Sequence, residues 1–575
     1  MLQRLRNWVV RAAGRTHAGA ASALPPDTDA RSMVPRGAAQ PTRFEPRAAT
    51  PRQPADETVS NQHRAAVEIA LRTAPDDAQL NFRMGLIHLA EGDAAAALDY
   101  LHLALHYAPG LFPACAARAR ALAMLGRGAA QADAYREFLR ANAGHQNATY
   151  ALALWHHAHG EHEAAVELLR PLANQHLVNR DACNLLGLIL GRELGRFDEG
   201  ERFLRQALEP DPQWHVALSN LGWVLLEKGD YQRGSELLDA ALARDPEDHE
   251  TRLMRAYTDL KRGEFDRGWR DFEARHHSGL ALHRPYRFAR WDGTPIKDKT
   301  LLIYGEQGLG DQIMFASCFG EAIERAGRCI IECDPQLVKL YARSFPSALV
   351  QAQTAADAEP AWLAQTGPIE RQIPMGSLPG FWRRRWEDFP RHAGYLRATP
   401  ERIAYWRARL DELGPGPKIG LSWRGGVAAT RRHQRSIALA QFLPLLRLPA
   451  RFISLQYGQC AFDLDALRRE HGVTLPHWQD ALDDYNETAA LVCALDLVVS
   501  VCTAIIHLAG ALGKPVWILV PAIAEWRYLD RGRRLPWYPS ALMFRQTAPG
   551  KWQDVIGDVV EQVGQFPRAG ALWIK

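Results

Sequence analysis

The chain has 575 residues, too many for a single hydrophobic core, and predicts three or four domains. Its 47% hydrophobic and 23% charged residues are ordinary globular proportions, and a net charge of +4 argues against general nucleic-acid binding. Eight scattered cysteines without CxxC or Cys/His spacing predict reduced thiols in a cytoplasmic protein and no zinc, and with no 18-residue apolar run no transmembrane segment is expected.

Residues 1–58 read as a disordered, basic and Pro-rich segment. Met1 to Arg11 is basic and mildly amphipathic, either a frayed terminus or a contact for a membrane surface or partner. Residues 20–58 hold seven prolines and few large apolar residues. From 59 to 290 helical motifs return on a 34-residue frame, with units starting at 78, 112, 146, 180, 215 and 249. The eighth position is small (Gly85, Ala119, Ala153, Gly187, Gly222, Ala256), where two helices of a hairpin approach closely. A turn glycine follows in each unit (Gly92, Gly126, Gly160, Gly195, Gly229, Gly263), and Pro109, Pro212 and Pro246 stop second helices. Residues 59–76 look like the second helix of a worn first unit. The pattern resembles the tetratricopeptide repeat, most clearly at 215–248 (Asn220-Leu221-Gly222-Trp223, Gly229-Asp230-Tyr231, Pro246). Such units stack into an α-solenoid whose groove binds protein, with a rigid spacer as the alternative reading.

Near residue 297 the pattern changes to short apolar runs alternating with helices, which predicts parallel sheets. The first set is strand 300–305, helix 311–326, strand 328–333, helix 335–344 and strand 348–352, forming a domain at 297–412. After the hinge Gly414-Pro415-Gly416-Pro417 the second domain, 417–550, is predicted as strand 418–423, helix 440–448, strand 451–456, helices 462–471 and 487–495, strand 497–501, helix 503–512 and strand 516–520. Asp484 and Glu487 fit a capping box. Residues 551–575 are expected to form a helix crossing back to the first domain, and a tail.

Two segments carry the chemistry. In Leu301-Leu302-Ile303-Tyr304-Gly305-Glu306-Gln307-Gly308-Leu309-Gly310-Asp311 a strand runs into a glycine turn, a carboxylate and a helix. Gly308 and Gly310 let the loop approach a ligand. Asp311 reads equally as a base for an acceptor hydroxyl and as a helix cap, with Glu306 in reserve. In the second, Ser500-Val501-Cys502-Thr503 leads into a helix carrying His507. Thr503, the free helix amides and His507 suit a phosphate. Arg424 and the basic run Arg431-Arg432-His433-Gln434-Arg435 follow strand 418–423, where Arg424 and Arg432 suit a diphosphate or belong to a solvated basic loop; Arg527 in a later loop suits a phosphate, and Gln456 a base or sugar. Trp526 and Trp537 either stack on a ligand or belong to the core.

Together the segments Gly305 to Asp311 and Ser500 to Gly513 resemble GT-B glycosyltransferases related to lipopolysaccharide heptosyltransferases, in the architecture that fuses them to tetratricopeptide repeats. The resemblance spans about residues 60–565. It implies two Rossmann-like domains around a cleft, Asp311 as catalytic base, Thr503 and His507 at the leaving group, and inversion at the anomeric carbon. It also implies a nucleotide-sugar co-substrate with no further cofactor, and an acceptor protein such as flagellin or another exported protein held by the repeats. No DxD-like cluster compels a metal. The family more often has Asp where Cys502 stands, which leaves room for a degenerate domain serving a scaffold or chaperone. An enzyme acting on a glycolipid core is the other alternative, although such an enzyme does not need six repeats.

Overall fold

The computed structural model describes residues 54–174, 179–277, 284, 286–354, 360–425 and 432–565. Most of the segment read as disordered therefore lies outside the described residues, and the first helix, Pro54–Thr73, begins just before its expected end. The chain forms two compact units with the break after Pro246.

The first unit is a helical solenoid of hairpins, from Ala78–Glu91 paired with Ala94–Tyr107 to His215–Glu227 paired with Tyr231–Arg244. All six turn glycines of the repeat frame have positive φ, between 67° and 87°, a conformation that costs glycine no Cβ clash. The unit starting at 180 has one extra residue, and its turn glycine, Gly195, comes one position late. A π-helical turn, Ile189–Glu193, lies between Gly187 and Gly195 and absorbs the insertion. At the same place the hairpin is tightest. A Cβ on Gly200 would lie 2.9 Å from Gly187 O and 2.9 Å from Gly191 N.

The second unit begins with the sixth hairpin, His249–Arg262 and Phe265–Phe272. The sequence periodicity assigns this pair to the array, but its apolar face packs into the α/β region. Trp269 meets Trp526 and Trp537 edge-on at 5.6 and 6.0 Å and donates Nε1–H to Arg383 O at 2.8 Å.

Two sheets follow. The first has strands β1 (Ala289–Arg290), β2 (Ile296–Tyr304), β3 (Ala326–Cys333), β4 (Ala348–Ala352) and β5 (Arg371–Pro374), all parallel in the order β1-β5-β2-β3-β4. The second has β6 (Lys418–Ser422), β7 (Arg451–Ser454), β8 (Leu497–Val501), β9 (Val516–Val520), β10 (Arg534–Leu535) and β11 (Tyr538–Arg545), in the order β10-β11-β9-β8-β6-β7. Only β10 is antiparallel to its neighbour. Side chains alternate between faces as the pleat requires. Leu301, Ile303, Val498 and Ile518 join one apolar cluster spanning both sheets and the sixth hairpin, while Leu497, Val499 and Leu519 enter a second cluster.

The helix expected to cross back, Trp552–Gly564, instead buries Trp552, Val555, Ile556 and Val559 in that second cluster, with β6 and β8 residues. The bracing contact comes from Pro400–Asp411, before the hinge. Its Arg402 pairs with Glu487 (N–O 2.9 to 3.0 Å), and Trp406 donates Nε1–H to the same carboxylate at 2.8 Å. The expected capping box is therefore half formed: Asp484 caps Tyr485–Ala494 through Asn486 N, but Glu487 serves the brace.

Candidate active site between the two sheets

β2 ends in the loop whose Gly308 is the N-cap of the short helix Leu309–Phe315. The glycine caps without a side chain, and Asp311, two residues into the helix, is not the cap. Gln312 holds the loop shape by donating to Gln307 O at 2.9 Å and accepting from Asp334 N at 2.8 Å. Asp311 is thus free to point away from its helix, and its Oδ1 accepts from Arg527 Nε at 2.5 Å and also pairs with Arg527 Nη2. Burial raises its proton affinity above the ordinary carboxylate range, Arg527 opposes that shift, and Glu525 adds to it.

β8 delivers Thr503 as the N-cap of Ala504–Ala511, whose next turn carries His507. The Thr503 hydroxyl does not cap the amides; it lies 3.2 Å from Ser500 Oγ. His507 is 4% exposed, and burial together with the Arg527 charge pushes its pKa down to about 3, so the ring is neutral. Its Nδ1 lies 3.0 Å from the Tyr538 hydroxyl. Tyr395 donates its own proton to Ile313 O at 2.7 Å. A neutral ring brings no positive charge to the phosphate contact expected of His507. The two segments meet at Gly310: a Cβ there would lie 2.9 Å from His507 Cδ2 and 3.5 Å from Ala504 Cα.

From Asp311 a chain of alternating charges crosses to the second sheet. Arg527 Nη1 donates to Glu525 Oε2 at 2.6 Å, and Glu525 Oε1 lies 3.3 Å from Arg435 Nη1. Arg435 Nη1 also donates to Cys502 O at 3.1 Å, the carbonyl just before Thr503. Sequence reading gave roles to Asp311, Arg527 and Thr503 but none to Glu525, Arg435 and Tyr538. Arg435 was visible only as one of a basic run, and a pair such as Asp311–Arg527, 216 residues apart, has no local signature.

Other candidates are occupied elsewhere. Gln456 is 1% exposed; its Oε1 accepts from Trp423 N and Arg424 N at 3.1 and 2.8 Å, and its Nε2 donates to Arg424 O and Tyr457 O, so its amide orders the strand ends. Arg424 pairs with Asp463 at 3.1 Å and donates to Gln459 O. The side chain of Arg432 lies outside the described residues. Glu306, the reserve base, is buried against Arg275 at 2.7 Å and accepts from Gly376 N at 3.1 Å. Trp526 and Trp537 are 7% and 3% exposed and belong to the core. Cys502 donates to Leu519 O at 3.7 Å, and burial pushes its thiol up to about 12, so it cannot replace a carboxylate's charge.

The eight cysteines are all free, and among the described residues no helix is long and apolar enough to cross a membrane. Protein FlbA of Caulobacter vibrioides is 31% identical over 319 residues, 52% of this chain and 52% of that protein, so the chain spans about half the length of the curated relative it matches. Among solved structures, a tetratricopeptide repeat protein from Parabacteroides merdae is 20% identical with a TM-score of 0.32, over 39% of this chain and 89% of its own. YrrB, described as a TPR protein with an unusual peptide-binding site, is 20% identical with a TM-score of 0.27, over 32% and 95%. The tetratricopeptide repeat family matches residues 181–213, the unit that carries the π-helical turn, so the chain contains this repeat.

Proposed function

We propose that this chain is a GT-B protein O-glycosyltransferase. In this reading the solenoid holds an acceptor protein, flagellin or another exported protein, and the α/β unit transfers a sugar from a nucleotide donor to a Ser or Thr hydroxyl with inversion. The observation that carries the reading is the contact of Gly310 with His507, which brings the Asp311 loop of the first sheet to the helix that follows β8. Asp311 takes the hydroxyl proton as the nucleotide leaves. The leaving phosphate faces the first amides of Ala504–Ala511 and the Thr503 hydroxyl. Its charge is balanced by guanidinium groups rather than by a metal.

The test uses the full chain, a panel of nucleotide sugars and acceptors chosen by comparing intact masses of exported proteins from cells with and without the gene. Asp311→Asn keeps the shape of the pair and should reduce transfer by roughly 10²–10⁴ while nucleotide binding persists. Transfer at the wild-type level by a folded Asp311→Asn protein overturns the mechanism. A scaffold reading is favoured by one feature, the uncharged Cys502, and failure of every nucleotide to bind would select it.

A further inference from the structure

Arg527 is held by two carboxylates at once, through Nε and Nη2 to Asp311 and through Nη1 to Glu525. Glu525 shares its other oxygen with Arg435, which reaches the Cys502 carbonyl beside the helix start at Thr503. Asp311, Arg527, Glu525 and Arg435 form a run of two acidic and two basic side chains whose formal charges cancel. A phosphate at Thr503 adds negative charge at one end of it and unbalances every pair. We propose that Arg527 is a positioning residue that changes partners: the anionic phosphate of a bound nucleotide draws it away from Asp311, so that the carboxylate is released to act only when the donor is in place.

This rests on the transferase reading above and adds an order to it, donor before proton transfer. The backbone around Arg527 is fixed. Arg545 donates to the carbonyls of Tyr528, Leu529 (3.2 Å) and Gly532 (2.8 Å), and Asp530 N donates to Lys261 O at 2.9 Å. Leu529, two residues on, is the one non-glycine residue with positive φ (61°) among the described residues, a strained turn held by those bonds. Movement is therefore left to the Arg527 side chain. The groups facing Asp311 are Arg527 and Glu525 from this loop, Arg435 from the edge of the second sheet, Tyr257 from His249–Arg262 and His507 from Ala504–Ala511. Burial keeps the last two uncharged, which leaves Arg527 as the cation in contact with Asp311. Losing it leaves a buried carboxylate that binds a proton more readily.

Nucleotide binding should therefore take up protons. The full chain is titrated at pH 6, in buffers of different ionisation enthalpy, with UDP-glucose, GDP-mannose, ADP-glucose and dTDP-glucose, whose phosphates carry no group that titrates near this pH. For the nucleotide that binds, the expected result is a net uptake of a fraction of a proton in the wild type, abolished in Asp311→Asn and retained in Arg527→Lys at about tenfold weaker affinity. Binding without proton uptake in the wild type overturns the proposal, as does uptake that survives Asp311→Asn. The wild-type measurement stands even if a variant fails to fold. If none of the nucleotides binds, the transferase reading itself falls, and the exchange with it.

Discussion

Two influences of opposite sign act on Asp311. The N-terminal turn of its helix favours the charged form and weakens the group as a base. Burial favours the protonated form and is the larger influence, even against the Arg527 charge. His507 shows the same preference for neutrality, with a different consequence for stability. Its pKa in the folded protein, about 3, lies below the ordinary 6.5, so the unfolded chain binds more protons between these values. Stability contributed by this group is fully present above pH 6.5 and is lost as pH falls through the window. Compared with His507→Gln, the wild type should lose up to about 1.4 kcal/mol more per pH unit of acidification below 6.5. Urea melts of both proteins between pH 7 and pH 4 measure the difference, and parallel curves would show that the ring accepts a proton in place.

At the scale of elements, what the sequence makes legible is what repeats locally. Glycines at fixed spacing mark six turns because a left-handed residue recurs at each, and the one irregular spacing marks the π-helical turn at Ile189–Glu193. Strands β2, β3, β8 and β9 show as apolar runs, since a strand covered on both faces has no polar side. β11 is not among the predicted strands because Pro539, with no N–H to donate, stands at its start, although the strand begins at Tyr538 and pairs with β9 from Ala541. The brace from Pro400–Asp411 and the ion chain depend on residues far apart in sequence and could not be read at all. Glycines inside helices separate by what surrounds them. Gly200 is enclosed by backbone atoms that cannot yield, so Gly200→Ala should destabilise by about 1–3 kcal/mol. Gly557, exposed in Trp552–Gly564 with open space around it, should instead gain about 0.5–1 kcal/mol on substitution by Ala. Thermal melts of the two variants should shift in opposite directions, and a shared sign would contradict this reading of the hairpin.

At the scale of the whole molecule, the repeat frame and the folding units do not end at the same place. Periodicity carries the array to residue 290, whereas the apolar contacts give the sixth hairpin to the α/β unit. Trp269 and Phe272 lie in the same cluster as Ile303, Phe315 and Trp537, and Arg275 supplies the guanidinium that neutralises the buried Glu306 at the end of β2. A fragment starting at 291 would expose that cluster and leave Glu306 buried without its partner, a loss of about 3–5 kcal/mol from the ion pair alone. That approaches the whole stability of an ordinary domain. A fragment of residues 247–575 keeps both features and should fold cooperatively, whereas 291–575 should aggregate or melt at a far lower temperature. Residues 54–246 should fold without either, because each hairpin buries its face on its neighbours. Circular dichroism melts of the three fragments decide the matter. A stable, monomeric 291–575 would show that the sixth hairpin only leans on the α/β unit, and the boundary at 290 would then be the physical one.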